Sequence, residues 1–163
     1  MKWKARHTLP ALLVIQAILI VVGFIHHFTH PLDALFHNWF DGYKNYVTLY
    51  SYVTLPSSED FAFGQYYGMN YPYGDLVIFT DNTPALSMPL KWIHHNVLPL
   101  DGWVFPVFNY LMLAGILWSS VLVYKILKPF VKTTYLVVIA SLVLPWIAPQ
   151  LIRLSNGHFN LSL

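Results

Sequence analysis

Three long apolar segments constrain this chain more than any other feature of its sequence. They run from about residue 9 to 28, from 103 to 124 and from 133 to 152. A helix needs about 20 mostly apolar residues to cross the hydrocarbon core of a bilayer, and each segment reaches that length. Only 10% of the residues are charged, against about a quarter in a typical soluble domain. The sequence therefore predicts an all-α integral membrane protein with about three transmembrane helices in a single membrane domain over 1–163.

The first apolar segment follows Lys2, Lys4 and Arg6, an arrangement that secretory signals and membrane anchors share. Its apolar run is longer than the roughly 7–15 residues at the centre of a signal peptide, and no small-x-small cleavage motif follows it. An uncleaved anchor is therefore favoured over a cleaved signal.

The distribution of charge predicts how the chain is oriented in a membrane. The stretch between the first and second apolar segments, about residues 29–102, contains two lysines and all seven acids, so its net charge is −5. Basic residues instead precede the first segment and fill the short link between the second and third. Because loops rich in Lys and Arg stay in the cytoplasm, we expect a cytoplasmic N-terminus and an external segment over about 29–102. The acids are Asp33, Asp41, Glu59, Asp60, Asp75, Asp81 and Asp101.

The first part of the external segment, about residues 33–53, has helical periodicity. At 100° per residue, its polar residues gather within about 120° of one another, and aromatic and aliphatic residues take the opposite side. Such a helix, next to a membrane span, is expected to lie parallel to the membrane at its surface. The polar set is Asp33, His37, Asp41, Lys44, Asn45 and Thr48; the opposite set includes Leu35, Trp39, Tyr43, Tyr46, Leu49 and Tyr50.

The rest of the external segment is rich in Gly, Pro, Asn and Tyr, which favour turns and membrane interfaces. It is predicted to be a largely irregular loop with two short helices, Ser57–Tyr67 and Pro84–His95. Glu59 and Asp60 are interpreted as first-turn residues of the former, where acids complement the helix dipole.

Several function classes are excluded or disfavoured by composition. A net charge of +2, with no basic run among stacking aromatics, gives no reason to expect a nucleic-acid partner. Cysteine is absent, which removes thiolate chemistry and cysteine-ligated zinc. The histidine pairs at 26–27 and 94–95 are poor chelators, because adjacent residues on a helix point about 100° apart. The sequence therefore assigns no metal-ligating residues.

Three strings in the chain resemble a bacterial branch of the GT-C superfamily of polytopic glycosyltransferases. They are FDGYKNYVTLYSY (Phe40–Tyr52), MNYPYGDLVIFTDNTP (Met69–Pro84) and PQLIRLSNGHFNLS (Pro149–Ser162). The superfamily uses polyprenyl-phosphate-linked sugars and carries an essential acid in a large first external loop. The resemblance implies that the chain is the N-terminal portion of a longer GT-C-like fold in the bacterial inner membrane.

The resemblance also implies roles for six residues. Asp41 matches the first-loop acid, which serves as catalytic base or positions phosphate, and Asp81 matches a second acid that lines the same cavity. Lys44 and Asn45 follow the first acid and are expected to contact the donor phosphate or the acceptor. His158 and Asn160 are expected to contribute to substrate binding.

The expected reaction transfers a sugar from a polyprenyl-phosphate donor to an external acceptor, which can be a glycan, a lipid or a protein. The expected partners are therefore the lipid bilayer, that donor and that acceptor. A divalent ion, Mg²⁺ or Mn²⁺, stays open as a cofactor, because Tyr43 stands where a strict Asp-x-Asp motif would have its second acid.

A second hypothesis also stays open from the sequence: a non-catalytic multi-pass membrane protein whose external loop binds a partner. Ion-coupled transport is disfavoured, because transporters place ionisable residues inside their spans and these spans carry few.

Overall fold

The structure, a computed structural model, describes residues 5–36, 39–56, 64–68, 73–80, 83–147 and 149–156. Helices make up most of this part of the chain, which confirms the predicted helical class. The helices are α1 (Ala5–Gly23), α2 (Ile25–Thr29), α3 (Phe40–Thr54), α4 (Pro84–Asn96), α5 (Val104–Leu127), α6 (Thr134–Ile147) and α7 (Pro149–Ser155). Two short strands, β1 (Gln65–Tyr66) and β2 (Asp75–Leu76), pair antiparallel. Single 3₁₀ turns cover Val77–Phe79 and Asp101–Trp103.

Two of the three predicted spans contain helices long and apolar enough to cross a bilayer. The 3₁₀ turn before α5 and α5 itself make a continuous helical segment of 27 residues, Asp101–Leu127. The segment Thr134–Leu154, with 21 residues, includes α6 and most of α7. The apolar helix at the first predicted span, His7–Gly23, is shorter.

Helices α1, α5 and α6 pack against one another as a three-helix bundle. One buried cluster joins Leu12, Tyr124 and Val137, and another joins Ile20, Leu113 and Ile116. The side chains on the outside of the bundle are also apolar: Val22 is 68% exposed, Trp118 62% and Ile126 61%. A helix that is apolar on every side is typical of a membrane span or of the core of a large protein.

The first predicted span is interrupted near its end, which the apolar pattern did not indicate. Helix α1 ends at Gly23, and α2 begins at Ile25 after Phe24 leaves the helical conformation. A Cβ atom on Gly23 would lie 3.1 Å from the Trp146 side chain, so this position must be small for α6 to approach. The Phe24 ring stacks on Trp146, with 6.0 Å between their centroids. Close packing against α6 thus accounts for the break.

The third predicted span contains α6 and α7, which lie on either side of residue 148, a position outside the described part of the chain.

Within the segment that was predicted to be external, one predicted helix is confirmed and two need correction. The helix predicted over Pro84–His95 is present as α4. The helix predicted over about 33–53 begins only at Phe40, because residues 31–36 form turns that pack on α5. The helix predicted over Ser57–Tyr67 does not extend to its proposed end, where Gln65 and Tyr66 form β1; residues 57–63 lie outside the described part.

Helix α3 packs on α4 and on the beginning of α5, and this contact contains the main hydrophobic cluster. Its members include Leu49 and Val53 from α3, Leu90 from α4, and Val104 and Phe108 from α5. The segment between α2 and α5 is therefore attached to the bundle where α5 begins.

Candidate functional site

The structure describes three of the six residues that the resemblance assigns to a site. Asp41 lies in the first turn of α3, although its side chain is outside the description. Lys44, one turn later, is exposed, and Asn45 is 1% exposed. Asp81, His158 and Asn160 lie outside the described residues. The structure thus brings Asp41, Lys44 and Asn45 together on the first two turns of one helix.

The burial of Asn45 corrects the predicted polar face of α3. The buried positions of this helix are Gly42, Asn45, Tyr46, Leu49, Tyr52 and Val53, which follow the spacing of one helical face. The side of α3 that was expected to be polar and exposed is not uniform, because Asn45 is buried against the rest of the protein whereas Lys44 is exposed. Asn45 is better described as part of the packing between α3 and the rest of the protein than as a surface contact for substrate.

The opposite face of α3 is aromatic and exposed. Trp39 is 66% exposed, Tyr43 57%, Val47 46% and Tyr50 40%. Their spacing of three or four residues places them in one row along the helix. Trp and Tyr side chains have an apolar body and a polar tip, which suits the region between lipid and water. The row has the chemistry of a helix that lies against a membrane surface.

A buried hydrogen-bond network fixes the first turns of α3 to α5. The Tyr46 hydroxyl donates to Asn109 Oδ1 at 2.5 Å and accepts the Phe36 N–H at 3.2 Å. Asn109 Nδ2 donates to the Ala34 carbonyl oxygen at 2.8 Å. Tyr46 and Asn109 are each 1% exposed, and burial raises the pKa of the Tyr46 hydroxyl above its usual range. This Tyr46–Asn109 clamp ties the chain before Asp41, the helix that carries Asp41, and α5 into one unit.

The short sheet is also attached to α3. The Ser51 hydroxyl and the Tyr66 hydroxyl are hydrogen-bonded at 2.5 Å, and the Tyr66 ring meets Tyr52 edge-on at 5.8 Å. Tyr66 lies so close to the backbone at Gly68 that a Cβ atom there would collide with its ring and hydroxyl. The turn that follows β1 is therefore packed closely against the Tyr66 side chain.

Sequence reasoning missed a buried lysine between α3 and α4. Lys91 is only 2% exposed, and its Nζ lies 4.6 Å from the centroid of the Tyr52 ring. Burial lowers the pKa of Lys91, and it raises the pKa of Tyr52 to about 12. A signal was present in the sequence, because Thr83, Ser87 and Lys91 recur every fourth residue and so share one helical face.

The described residues contain no group of three or more His, Asp or Glu side chains that could hold a metal ion. His26 and His30 stack on each other at 5.1 Å, and His27 packs against Phe36 at 4.4 Å. These histidines make aromatic contacts in the chain between the bundle and α3.

Comparison of the chain with protein-family models, with curated proteins and with solved structures finds no match.

Proposed function

We propose that this chain is the N-terminal part of a GT-C-type membrane glycosyltransferase, which transfers a sugar from a polyprenyl-phosphate donor to an external acceptor. The proposal starts from the three strings that resemble this superfamily. The observation that carries it is the position of Asp41: the acid occurs in the first turn of a helix that is fixed to the end of an apolar bundle. A reaction on a lipid-linked donor requires its catalytic groups at such a boundary between lipid and water.

The proposal places the chain in the inner membrane of a bacterium. Helices α1, α5 and α6–α7 cross it, with the N-terminus and the link between α5 and α6 in the cytoplasm. The bundle's apolar exterior and the basic residues Lys125, Lys128 and Lys132 beside that link support this orientation. Residues 29–102 then face outward, and the aromatic row of α3 lies along the outer surface of the membrane.

In this reaction Asp41 acts as the general base. It removes the proton from the acceptor hydroxyl as that oxygen attacks the anomeric carbon of the sugar, and it must lie within about 3 Å of the proton's donor atom. The bond between the anomeric carbon and the phosphate oxygen breaks, and the polyprenyl phosphate leaves with the electron pair. Negative charge that collects on a leaving group is stabilised by nearby cations and hydrogen-bond donors.

Lys44 is the cation nearest to Asp41 along α3. Residues three apart on a helix have Cβ atoms about 5–6 Å apart, so both side chains can serve one substrate. The ammonium group of Lys44 is exposed and can approach the donor phosphate. A divalent ion, if the reaction uses one, would share this task.

The test replaces Asp41 in the full-length protein. Asp41→Asn keeps the shape of the side chain but cannot accept a proton at neutral pH. Loss of a general base typically lowers the rate by about 10²–10⁴-fold. Product formation from a radiolabelled polyprenyl-phosphate sugar is measured, with each variant normalised to its amount in the membrane.

The matched control is Asp101→Asn, which removes an exposed acid from the turn before α5. This variant should retain activity within about twofold, on the general ground that surface substitutions have small effects. Activity of Asp41→Asn within the same range would remove Asp41 from the reaction. If the wild-type full-length protein transfers no sugar from any polyprenyl-phosphate donor, the proposal of an enzyme fails, and the partner-binding hypothesis replaces it.

A further inference from the structure

The face of α4 that packs against the rest of the protein carries three polar residues. Thr83, Ser87 and Lys91 are 5%, 0% and 2% exposed, and their spacing of four places them one above another along the helix. Apolar residues would be expected at such positions. Ser87 makes a contact of its own, so within this polar stripe of α4 it is Thr83 and Lys91 that need an explanation beyond packing.

Lys91 is the residue of this stripe that is hardest to explain by packing alone. Its Nζ lies over the Tyr52 ring, and no ion pair joins it to an acid in the described part of the chain. Withdrawing an ammonium ion from water costs several kcal/mol even after the protein relaxes. A desolvated cation–π contact contributes about 2 kcal/mol, so the Tyr52 ring does not offset that cost. An anion beside the ammonium group would offset the remainder and keep Lys91 charged.

Thr83 supplies a second, independent sign of a missing partner. Its Oγ1 is buried and has no hydrogen-bond partner among the described residues, although Thr83 precedes the first turn of α4, where a side-chain cap is usual. An ammonium group and a hydroxyl are both donors that an acceptor-only group, such as phosphate, would satisfy.

This stripe is separate from the turn that carries the proposed catalytic base. Tyr52, which contacts Lys91, follows Asp41 by eleven residues on α3, and at 1.5 Å per residue the two positions are about 16 Å apart along the helix. An anion beside Lys91 is thus too distant to be the phosphate that leaves during the transfer at Asp41. The next residue, Trp92, is 53% exposed, as is Trp103 before α5, and exposed tryptophans are typical of the level of lipid headgroups.

We propose that Lys91 anchors a second binding site, which takes a phosphate group between α3 and α4, with Thr83 as a further donor. At the level of the lipid headgroups, phosphate is the prevalent anion, and it reaches the site as part of a phospholipid, as part of a polyprenyl phosphate or as free phosphate. The site does not depend on sugar transfer, and it would exist in a non-catalytic protein as well.

Binding is measured on the full chain, purified in an uncharged maltoside detergent, with three probes. These are inorganic phosphate, phosphatidylglycerol in mixed micelles and undecaprenyl phosphate in mixed micelles, and the ranking of their affinities identifies the source of the phosphate. Lys91→Met should weaken the best probe at least tenfold, whereas Lys91→Arg should stay within a few-fold. The matched control, Lys125→Met, removes an exposed lysine from α5 and should bind within twofold of the wild type.

A measurement on the wild type keeps the proposal testable if Lys91→Met fails to fold. Hydrogen–deuterium exchange of the α4 backbone, followed by mass spectrometry, should slow at least fivefold when the probe is bound, while exchange in the link between α5 and α6 stays unchanged. The proposal is overturned if none of the probes protects α4. It is equally overturned if Lys91→Met binds every probe as the wild type does, which would indicate that an acid of the chain is the partner of this lysine.

Discussion

The Tyr46–Asn109 clamp predicts that removing one oxygen atom from Tyr46 destabilises the attachment of α3. In Tyr46→Phe the ring stays, and its edge-on contacts with Phe105 and Phe108 are kept. The hydroxyl that donates to Asn109 and accepts from the Phe36 amide is lost. The substitution therefore tests the hydrogen bonds of the clamp apart from its packing.

The expected magnitude follows from what is left without a partner. Asn109 Oδ1 loses the donor that Tyr46 supplied, and a buried polar atom in that state costs about 1–3 kcal/mol. The Phe36 amide is only half-buried and can bind water instead, so loss of its hydrogen bond to the Tyr46 hydroxyl adds about 0.5–1.5 kcal/mol. Tyr46→Phe should therefore lower the free energy of unfolding by about 1.5–4.5 kcal/mol.

The assay is reversible unfolding of the detergent-solubilised chain by dodecyl sulfate, followed by circular dichroism. The control is Tyr43→Phe, which removes the same atom from an exposed tyrosine of the same helix and should change stability by less than about 0.5 kcal/mol. The double variant Tyr46→Phe/Asn109→Leu removes both partners. Residues in one hydrogen-bond network couple by about 0.5–3 kcal/mol, so the double variant should lose less than the sum of the single losses.

Two results would refute the reasoning. One is a Tyr46→Phe variant that is as stable as Tyr43→Phe. The other is strict additivity of the Tyr46 and Asn109 substitutions, which would mean that these side chains do not interact in the folded protein.

Two further predictions concern buried polar groups. Gln16 is fully buried in the bundle, and neither its amide nitrogen nor its oxygen has a partner among the described residues. Gln16→Leu should therefore stabilise the protein by about 1–3 kcal/mol in the same unfolding assay. Destabilisation by this substitution would reveal a partner for the amide. Burial lowers the pKa of Lys91 from its ordinary 10.5. Just below pH 10.5 the unfolded chain therefore binds more protons than the folded chain, and the free energy of unfolding rises with pH. In phosphate-free solution, the excess stability of Lys91→Met over the wild type should therefore shrink between pH 7 and pH 10.5, and a constant difference would contradict the burial of this amine.

The sequence predicted the longest helices correctly where one property, the apolar character of a long segment, dominated. The apolar segments near residues 103–124 and 133–152 correspond to α5 and to α6–α7, because a long apolar run favours a helix in spite of the prolines that both segments contain. Helix α4 was also predicted, since Pro84 suits the first turn of a helix.

The faces of α3 could not be derived with the same success. Its aromatic row and its buried face are both rich in apolar atoms, and hydrophobicity cannot tell a surface that meets lipid from one that meets protein. Asn45 was therefore placed on the wrong side. The break after Gly23 escaped prediction because it depends on Trp146, which is distant in sequence and is brought close only by the packing of α6 on α1.

The candidate site was predicted in part. The three residues near the start of α3 lie together because they are close in sequence. Lys91 was counted only as a charge, because its burial depends on how α4 packs against α3, and neither helix alone contains that information. The proposed roles of Asp81, His158 and Asn160 stay predictions.

The central claim is that the segment between α1 and α5 lies on the external side of the membrane and the link between α5 and α6 on the cytoplasmic side. It is tested most directly by labelling single cysteines. Asn96→Cys in the external segment and Lys128→Cys in the link both replace exposed residues, and this chain has no other cysteine. In cells with a permeabilised outer membrane, an impermeant maleimide should label Asn96→Cys and leave Lys128→Cys unlabelled until the inner membrane is disrupted. Labelling of both cysteines on the same side, or of Lys128→Cys alone in intact inner membranes, would contradict the account.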